Sequence, residues 1–384
     1  MNKRPPQTAL PKPVRRSFYL VLCALPFLLI LALEALLRLT GFGSSYPLFV
    51  PAPAPGYLQP NPLLVQRYVN DPRQAPPVAP DSQYFLAEKP QGALRLVVAG
   101  ESTAAGFPYG RFGSPAALLQ QRLKLQSAEQ PIEVISTAMA AINSYTVLDL
   151  MPELLAIQPD AILLYVGHNE YVGLLGVGSQ FQASPNRQLT LWWLQLKQWR
   201  LYQWIQRGMQ AILPPPADLA GQEATHPQGD IQDQTQGNIQ NKSQGKTTMA
   251  QLASQSGIAL GSDTYQAGVQ QFRDNLAAIA ELAREAGVPL IVTSLVSNEK
   301  ALPPFLTVHS QAASAVEPIL AAADLSQHLA QNLAQNLAQY PALLKTAPED
   351  ALLHYQYGLA LLQNRQPEAA LQAFQHAKDL DLLR

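Results

Sequence analysis

A serine and an asparagine each follow an apolar run of this chain, at the point where the run ends. Ser102 lies in a Gly-Glu-Ser-Thr motif after residues 94–99, and Asn169 lies in a Gly-His-Asn-Glu motif after residues 161–166. An exposed hydroxyl can act as a nucleophile, and an amide N–H can stabilise the oxyanion formed when an acyl carbon is attacked. The pair therefore predicts a serine esterase site. A plainer interpretation of Ser102 stays open, because a serine between a strand and a helix is a common helix N-cap.

The elements that must position these residues are predicted to alternate along the chain. Continuous apolar runs favour strands buried on both faces, and longer periodic stretches between them favour helices. The predicted strands are 94–99, 132–136, 161–166 and 289–295, and the predicted helices are 114–126, 145–157 and 265–286. This order predicts an α/β fold, a three-layer sandwich with a mainly parallel, flavodoxin-like sheet. Open sheets of this kind bind ligands at the carboxyl ends of their strands, where both motifs lie.

A third strand end supplies a further part of the predicted site. Residues 136–144 follow the second strand and are mostly small, which allows the backbone to approach a ligand closely. With this segment included, the order and spacing of the motifs resemble the SGNH (GDSL-like) hydrolase superfamily over residues 93–305. Matched residue by residue, the resemblance implies that Ser102 is the nucleophile. It also implies that the backbone N–H groups of Ser102 and Ala141 and the side chain of Asn169 bind the oxyanion.

The sequence departs from the superfamily pattern at three positions. Glu101 and Glu170 stand where the family has aspartate, and Ala141 stands where it has glycine. The first two changes keep a carboxylate, and Ala141 keeps the backbone N–H. The resemblance implies an esterase or acyltransferase that acts on acyl or acetyl esters, with an envelope glycan or a lipid as the expected carrier. It implies no cofactor, and the sequence shows no metal-ligand spacing.

The general base of that superfamily has no counterpart in the sequence. In the family it is a histidine three residues after an aspartate, and no Asp-x-x-His occurs in this chain. His168 lies beside Asn169, and none of the six histidines is predicted to be the base. Two interpretations stay open: the chain stops before the block that carries the base, or the enzyme is degenerate and inactive. The alternative function is a non-catalytic, membrane-anchored scaffold that recruits partners.

The N-terminal part carries the pattern of a membrane signal anchor. Residues 1–16 are basic and predicted to be cytoplasmic, and residues 17–40 are predicted to form a single transmembrane helix. The positive charge before the helix would send the bulk of the chain to the periplasm or the cell exterior. A cleaved signal peptide is the competing interpretation, because the strictly apolar run is short. Residues 41–92 hold many prolines and are predicted to be an extended linker with little core of its own.

The predicted α/β domain is interrupted by a segment of different composition. The domain is predicted to comprise residues 93–212 and 263–309, and residues 213–262, rich in Gln, Gly and Ser, are predicted to be a disordered insertion. All four tryptophans lie in the basic stretch 189–213. That stretch could rest on a membrane surface, cover the site, or pack as an ordinary helix, and ordinary packing is the favoured interpretation.

The C-terminal part is predicted to be helical throughout. Residues 310–350 are predicted to form a helical segment, and residues 351–384 resemble one tetratricopeptide repeat. The small and aromatic positions that carry this resemblance are Gly358, Ala370, Phe374 and Ala377. A single repeat buries little surface, so it is predicted to dock on a host domain or on a protein partner.

Composition excludes other classes of protein. The net charge is -1 and the pI is near 6.6, so the chain has no positive field that would attract nucleic acid. Cys23 is the only cysteine, which excludes an intrachain disulfide framework and a cysteine nucleophile in the α/β domain.

Overall fold

The computed structural model describes residues 16–70, 75–127, 130–179, 184, 186–212, 257–304, 307 and 337–382. These residues form two compact units. The smaller unit contains the described residues of Met1–Ser45 and Trp192–Thr225, and the larger contains those of Tyr46–Leu191 and His226–Arg384.

The helices and strands are numbered here in chain order. The strands are β1 (Phe49–Pro51), β2 (Tyr57–Pro60), β3 (Phe85–Leu86), β4 (Leu94–Gly100), β5 (Ile132–Ser136), β6 (Ala161–Tyr165) and β7 (Leu290–Val292). The helices are α1 (Arg16–Leu39), α2 (Ser102–Ala105), α3 (Pro115–Gln126), α4 (Ser144–Ala156), α5 (Arg187–Lys197), α6 (Arg200–Ile212), α7 (Asp263–Glu285), α8 (Tyr340–Thr346), α9 (Ala351–Gln363) and α10 (Pro367–Leu380). Short 3-10 turns occupy Leu64–Arg67, Arg111–Gly113 and Leu337–Gln339.

Strands β4 to β7 form one parallel sheet in the order β5-β4-β6-β7. Gly100 of β4 pairs with Tyr165 of β6, and Val98 of β4 pairs with Ser136 of β5. This is the flavodoxin-like order, in which the chain starts at an inner strand and then adds strands on either side of it. The predicted α/β class with a parallel sheet is confirmed. All four predicted strands are present, with β7 shorter than predicted.

Helices lie on both faces of this sheet. On one face, Leu96 and Val98 of β4 pack with Ala116 of α3 and Val134 of β5. The connections through α3 and α4 lead to opposite sides of β4, so right-handed crossovers put these two helices on opposite faces. Helix α4 in turn packs against α7. The result is a three-layer arrangement in which the carboxyl ends of the strands open at one edge.

Residues 41–92 differ from the predicted linker, because most of this segment folds onto the α/β domain. Strands β1, β2 and β3 form an antiparallel sheet, and Leu48 and Leu64 are fully buried. Arg67 forms ion pairs with Asp149 and Glu153 of α4. Prolines fix an extended backbone, as the sequence indicates, but extended backbone can also form short edge strands. The predicted extended conformation is therefore present, while the predicted lack of a core is not.

A buried arginine joins this small sheet to the parallel sheet. The side chain of Arg95 in β4 has no exposed surface and forms an ion pair with Glu133 of β5 at 2.7 Å. Its Nη1 donates to the carbonyl oxygen of Ile157, and its Nη2 donates to that of Leu86 in β3, each at 2.8 Å. The guanidinium also stacks on Phe85. A buried charge is tolerated here because every face of the guanidinium has a partner.

The smaller unit consists of α1, the end of α5, and α6. Helix α1 contains Pro26 and ends in the turn that carries Arg38. Among the residues described, none of the helices combines the length and the apolar character that crossing a membrane requires. The predicted cytoplasmic segment 1–16 lies outside the described residues except for Arg16.

The C-terminal helices form a packed set within the larger unit. Helices α9 and α10 pack against each other, and α8 packs against α9. Gly358 of α9 lies directly beneath the ring of Phe374 of α10, which leaves no room for a side chain. Most of two predicted segments, the insertion at 213–262 and the helical tract at 310–350, lies outside the described residues.

Candidate active site

The candidate site lies where the order of the strands reverses. The chain passes from β4 to β5 on one side and then returns to β6 on the other, so the crevice between the ends of β4 and β6 is the topological switch point of the sheet. Ser102 is the first residue of α2, two residues after β4, and Asn169 follows β6 by four residues. The two sequence motifs therefore flank the position at which open α/β sheets bind ligands.

Glycines shape the turn that presents Ser102. A Cβ at Gly100 would lie 2.2 Å from the carbonyl oxygen of Tyr165, so only glycine allows β4 and β6 to approach this closely. Helix α2 makes a single turn and ends at Gly106, whose φ of 108° is in the left-handed region. The side chain of Glu101, the residue before the helix, makes no cap bond to α2. Ser102 therefore begins a tight turn, and the carboxylate of the preceding Glu101 does not cap that turn.

Glu101 ties the first motif to the third. Its Oε1 accepts the backbone N–H of Gly167 at 3.0 Å, and its Oε2 accepts the backbone N–H of Asn169 at 3.1 Å. The side chain is almost fully buried, and this burial raises the pKa of Glu101 to about 8, although the N–H donors act in the opposite direction. Since Ser102 is the next residue in the chain, the same carboxylate holds the Ser102 turn and the Asn169 loop together.

Gly173 and Leu174 join the segment of Ala141 to the loop of Asn169 through backbone hydrogen bonds. The N–H of Gly173 donates to the carbonyl oxygen of Asn169 at 2.7 Å, and the next residue, Leu174, donates to the carbonyl oxygen of Ala141 at 2.7 Å. A Cβ on Gly173 would lie 2.6 Å from the Asn169 oxygen and 2.9 Å from the Ala141 oxygen. Backbone atoms of Ala141 and Asn169 therefore pack around the same glycine.

Ala141 has the backbone conformation of a glycine. Its φ is 65°, in the left-handed region where an L-residue with a Cβ is strained. The SGNH pattern has glycine where this chain has Ala141, and glycine would adopt this backbone conformation without strain.

Asn169 presents an amide that has no partner. Its side chain is 4% exposed, and its Nδ2 makes no hydrogen bond to any residue that the structure describes. Buried amide groups are nearly always paired, so an unpaired donor in a crevice is typical of a site that receives its acceptor from a ligand. Asn143, which follows the second strand, likewise has a buried Nδ2 without a partner in the described part of the chain.

Glu170 fixes the same loop from its other side. Its Oε1 accepts the hydroxyl of Ser144 at 2.7 Å and the amide of Gln271, and its Oε2 accepts the backbone N–H of Ser144 at 3.1 Å. Asn275 of α7 donates to the Ser144 hydroxyl at 2.9 Å. Burial raises the pKa of Glu170 to about 7, against the lowering effect of its donors. The start of α4 and the Asn169 loop are thereby held as one structure.

His168, the histidine of the third motif, does not form a hydrogen bond with Ser102. His168 Nε2 is 3.1 Å from the carbonyl oxygen of Val296, and its Nδ1 is 3.8 Å from Glu101 Oε2, too far for a hydrogen bond. His354 and His376 pack ring to ring on α9 and α10. None of these three described histidines is hydrogen-bonded to Ser102. The remaining histidines, His226, His309 and His328, lie outside the described residues.

Sequence reasoning located the three strand ends but missed what connects them. The structure brings the segments of Ser102, Ala141 and Asn169 together through Glu101 and Gly173. The two glutamates were noted only as substitutes for aspartate. A carboxylate directly before a strand-end serine was the available signal for Glu101. Gly173 carried no signal beyond its position in a glycine-rich turn.

The fold and site define an open α/β protein with a crevice at the switch point of its sheet. No protein-family model matches the chain, and no curated protein matches it. Among solved structures, the chain is similar to the crystal structure of TesA, with 14% identity and a TM-score of 0.25, over 74% of this chain and 99% of that one. It is also similar to AlinE4, described as an SGNH-hydrolase family esterase, with 15% identity and a TM-score of 0.26, over 62% of this chain and 100% of that one. Similarity this weak does not assign the chain to a family.

Proposed function

We propose that the chain is an SGNH-type serine esterase or acyltransferase with Ser102 as its nucleophile. The observation that carries the proposal is the buried Nδ2 of Asn169, which has no partner among the described residues and belongs to the loop that Glu101 joins to the Ser102 turn. The backbone N–H groups of Ser102 and Ala141 are the other two proposed oxyanion donors. The left-handed conformation of Ala141 supports its assignment, because glycine stands at the matching position of the family pattern.

In the proposed reaction, Ser102 Oγ attacks the acyl carbon of an ester. The carbonyl oxygen becomes an oxyanion, which accepts hydrogen bonds from Asn169 and the two backbone N–H groups. The alcohol then leaves with the serine proton, and the acyl group remains on Ser102 until water or an acceptor hydroxyl removes it. Among the described residues no histidine is hydrogen-bonded to Ser102, and we expect the serine proton to reach the leaving alcohol through solvent, with slow turnover.

Single-turnover acylation tests this proposal without requiring turnover. The chain is incubated with 4-nitrophenyl acetate at pH 8, and acylated serines are mapped by peptide mass spectrometry. We expect an acyl group on Ser102 that is absent from Ser102→Ala. Asn169→Ala should slow acylation by a factor of about 100, the usual effect of losing one oxyanion donor. Acylation spread over surface serines, with no preference for Ser102, would contradict the proposal and favour a non-catalytic scaffold.

Attachment to a membrane is part of the proposal. The basic segment 1–16 followed by the apolar segment 17–40 supports a signal anchor, with the bulk of the chain in the periplasm or outside the cell. An envelope glycan or a lipid would then be the ester substrate. Carbonate extraction of membranes from expressing cells separates an anchored chain from one that has lost this segment.

We also propose that α9 and α10 form one tetratricopeptide-type repeat that binds a protein partner. The close contact of Gly358 with Phe374 supports this, because these are the small and aromatic positions of the repeat pattern. Ala370 and Ala377 are buried at the other matching positions. Partner binding by this repeat is compatible with the esterase function, and the acylation experiment decides whether the esterase function exists.

A further inference from the structure

The smaller unit exposes its apolar side chains and buries a carboxylate. In α1, between Cys23 and Leu39, the only buried residue is Glu34. Of the apolar residues from Cys23 to Leu39, all except Leu37 are exposed, among them Phe27 and Leu31, and Leu39 reaches 87%. A helix in water normally shows the opposite arrangement, with an apolar stripe against the core and charges outside.

Glu34 is buried because it caps the first turn of α6. Its Oε1 accepts the backbone N–H of Arg200 at 3.1 Å, and its Oε2 accepts that of Leu201 at 2.8 Å. Arg38, one turn further along α1, donates to Oε1 at 2.7 Å. The N–H groups at the start of a helix have no partner within the helix, and a carboxylate there also interacts favourably with the helix dipole. The two helices are therefore joined by charged and polar groups.

The polar face of α6 continues this contact. Gln203 Nε2 donates to the carbonyl oxygen of Ser44 at 3.0 Å, and Gln203 Oε1 accepts the N–H of Ser44 at 2.9 Å. Arg200 donates to the hydroxyl of Ser45, and the guanidinium of Arg207 stacks on Phe42 at 4.8 Å. Positions 200, 203 and 207 share one side of a helix, so this is the face of α6 that contacts residues 42–45.

The apolar face of α6 points away from the unit. Trp204, Ile205, Met209 and Ile212 are separated by the spacings of one helical face, and all four are exposed, Ile212 by 80%. Trp192 of α5 is also exposed. The sequence favoured ordinary core packing for this segment, and the structure differs. An amphipathic helix that packs its polar side and exposes its apolar side fits an apolar surrounding.

We propose that α5 and α6 lie in the interface of an anionic lipid bilayer, with the apolar face of α6 turned to the acyl chains. Residues 187–212 contain all four tryptophans and no acidic residue, and of their four basic residues, Arg187, Lys197, Arg200 and Arg207, the last is exposed. Tryptophan is enriched at the level of lipid headgroups, and basic side chains are attracted to anionic ones. The inference extends the proposed membrane anchor by a second, interfacial element and does not depend on the esterase proposal.

Native tryptophan fluorescence tests the inference directly, because every tryptophan of the chain lies in this segment. The full chain is reconstituted into phosphatidylcholine vesicles with and without phosphatidylglycerol. Phosphatidylcholines brominated near the headgroup or near the bilayer centre are included in parallel samples. We expect a blue-shifted emission and at least about twofold quenching, stronger from shallow than from deep bromines, as for a helix in the interface. Quenching should be stronger in the anionic vesicles.

Two substitutions and a control separate this contact from the anchor. Ile205→Glu and Met209→Glu each place a charge on the apolar face of α6, and Leu125→Glu makes the same change at an exposed position of α3. We expect the first two to reduce quenching while the protein still floats with the vesicles, and the control to behave as the parent chain. Circular dichroism verifies that each variant keeps its helix content.

Each other outcome has a defined meaning. Flotation without quenching leaves the anchor intact and overturns the interfacial assignment. Release of the chain by carbonate together with strong quenching of its tryptophans by added brominated vesicles would remove the anchor proposal and keep this one. A blue shift that appears without lipid and grows with protein concentration would show that a second copy of the chain covers the face, and would also overturn the inference.

Discussion

The buried carboxylate of Glu101 allows one prediction to be worked through in detail. Glu101→Gln keeps the shape of the side chain but cannot ionise. Its amide NH2 would face one of the two backbone N–H groups, of Gly167 or Asn169, and cannot accept it, whereas both oxygens of the Glu101 carboxyl, which is protonated at pH 5, keep a lone pair for these donors. One buried donor is left without a partner, which costs about 1–3 kcal/mol of stability. At pH 5 we therefore expect the variant to be less stable than the parent chain.

The difference should reverse as the pH rises. Burial raises the pKa of Glu101 from 4.5 to about 8, so between these values the folded chain holds a proton that the unfolded chain has released. Stability then falls as the pH rises, by ~1.4 kcal/mol per pH unit, and the loss ends above pH 8. Between pH 5 and pH 8 the parent chain loses roughly 3 kcal/mol from this group, and the variant loses none of it. The loss is comparable to the cost of the unpaired N–H, so the two stability curves should cross between these pH values.

Urea denaturation followed by far-UV circular dichroism at pH 5, 6, 7 and 8 measures both curves. Glu170, whose pKa is also raised, contributes to both proteins and largely cancels in the difference. Glu285→Gln, at an exposed position on α7, is the matched control and should show no crossing. Parallel curves for Glu101→Gln and the parent chain would refute the reasoning, because they would show that Glu101 is ionised in the folded state throughout this range.

Three further predictions concern packing. Gly173→Ala places a Cβ against backbone atoms of Ala141 and Asn169, so we expect a loss of ~2 kcal/mol or more in urea denaturation and a loss of Ser102 acylation; acylation at the parent rate would contradict the role given to Gly173. Arg95→Met leaves the part-buried Glu133 without its cationic partner and removes the donors to the carbonyl oxygens of Ile157 and Leu86. The midpoint of urea unfolding should fall by an amount equivalent to about 3 kcal/mol, against no change if these contacts are dispensable. Gly358→Ala should destabilise α9 and α10 by ~1–3 kcal/mol, because its Cβ would lie 2.7 Å from the Phe374 ring. Gly208→Ala is the control: its Cβ would have no atom within 4 Å, so it should stabilise α6 by up to ~1 kcal/mol. Equal effects of the two substitutions in thermal melts would show that helix propensity alone decides.

The sequence predicted the α/β domain well because three of its strands, β4, β5 and β6, are largely buried on both faces, whereas Ile291 and Val292 of β7 are exposed. Burial on both faces leaves an uninterrupted apolar run, which is visible without any knowledge of neighbours. The prediction for residues 41–92 was less successful because their burial comes from partners far along the chain. Arg67 is held by Asp149 and Glu153, and Leu48 N donates to Glu153 Oε2 at 2.6 Å. Prolines reveal an extended backbone, but they do not reveal what it packs against.

For the tryptophan segment, too, the sequence did not reveal the packing partners. Its periodicity predicts an amphipathic helix, and α6 is one. Periodicity does not state which face of the helix is turned towards the protein. That choice depends on Glu34 and Ser44, which lie about 160 residues earlier in the chain and supply the acceptors and donors for the polar face.

The sequence by itself determined the order of the strands along the chain, the strand ends that carry Ser102 and Asn169, and the absence of an Asp-x-x-His motif. These follow from local residue types and spacings, which need no partner to be read. Only the tertiary structure decided that the buried carboxylate of Glu101 binds the Asn169 loop, that Ala141 adopts a left-handed conformation, and that α6 exposes its apolar face. Each of these depends on contacts between segments that are distant in sequence, and such contacts form only when the sheet has set the segments side by side.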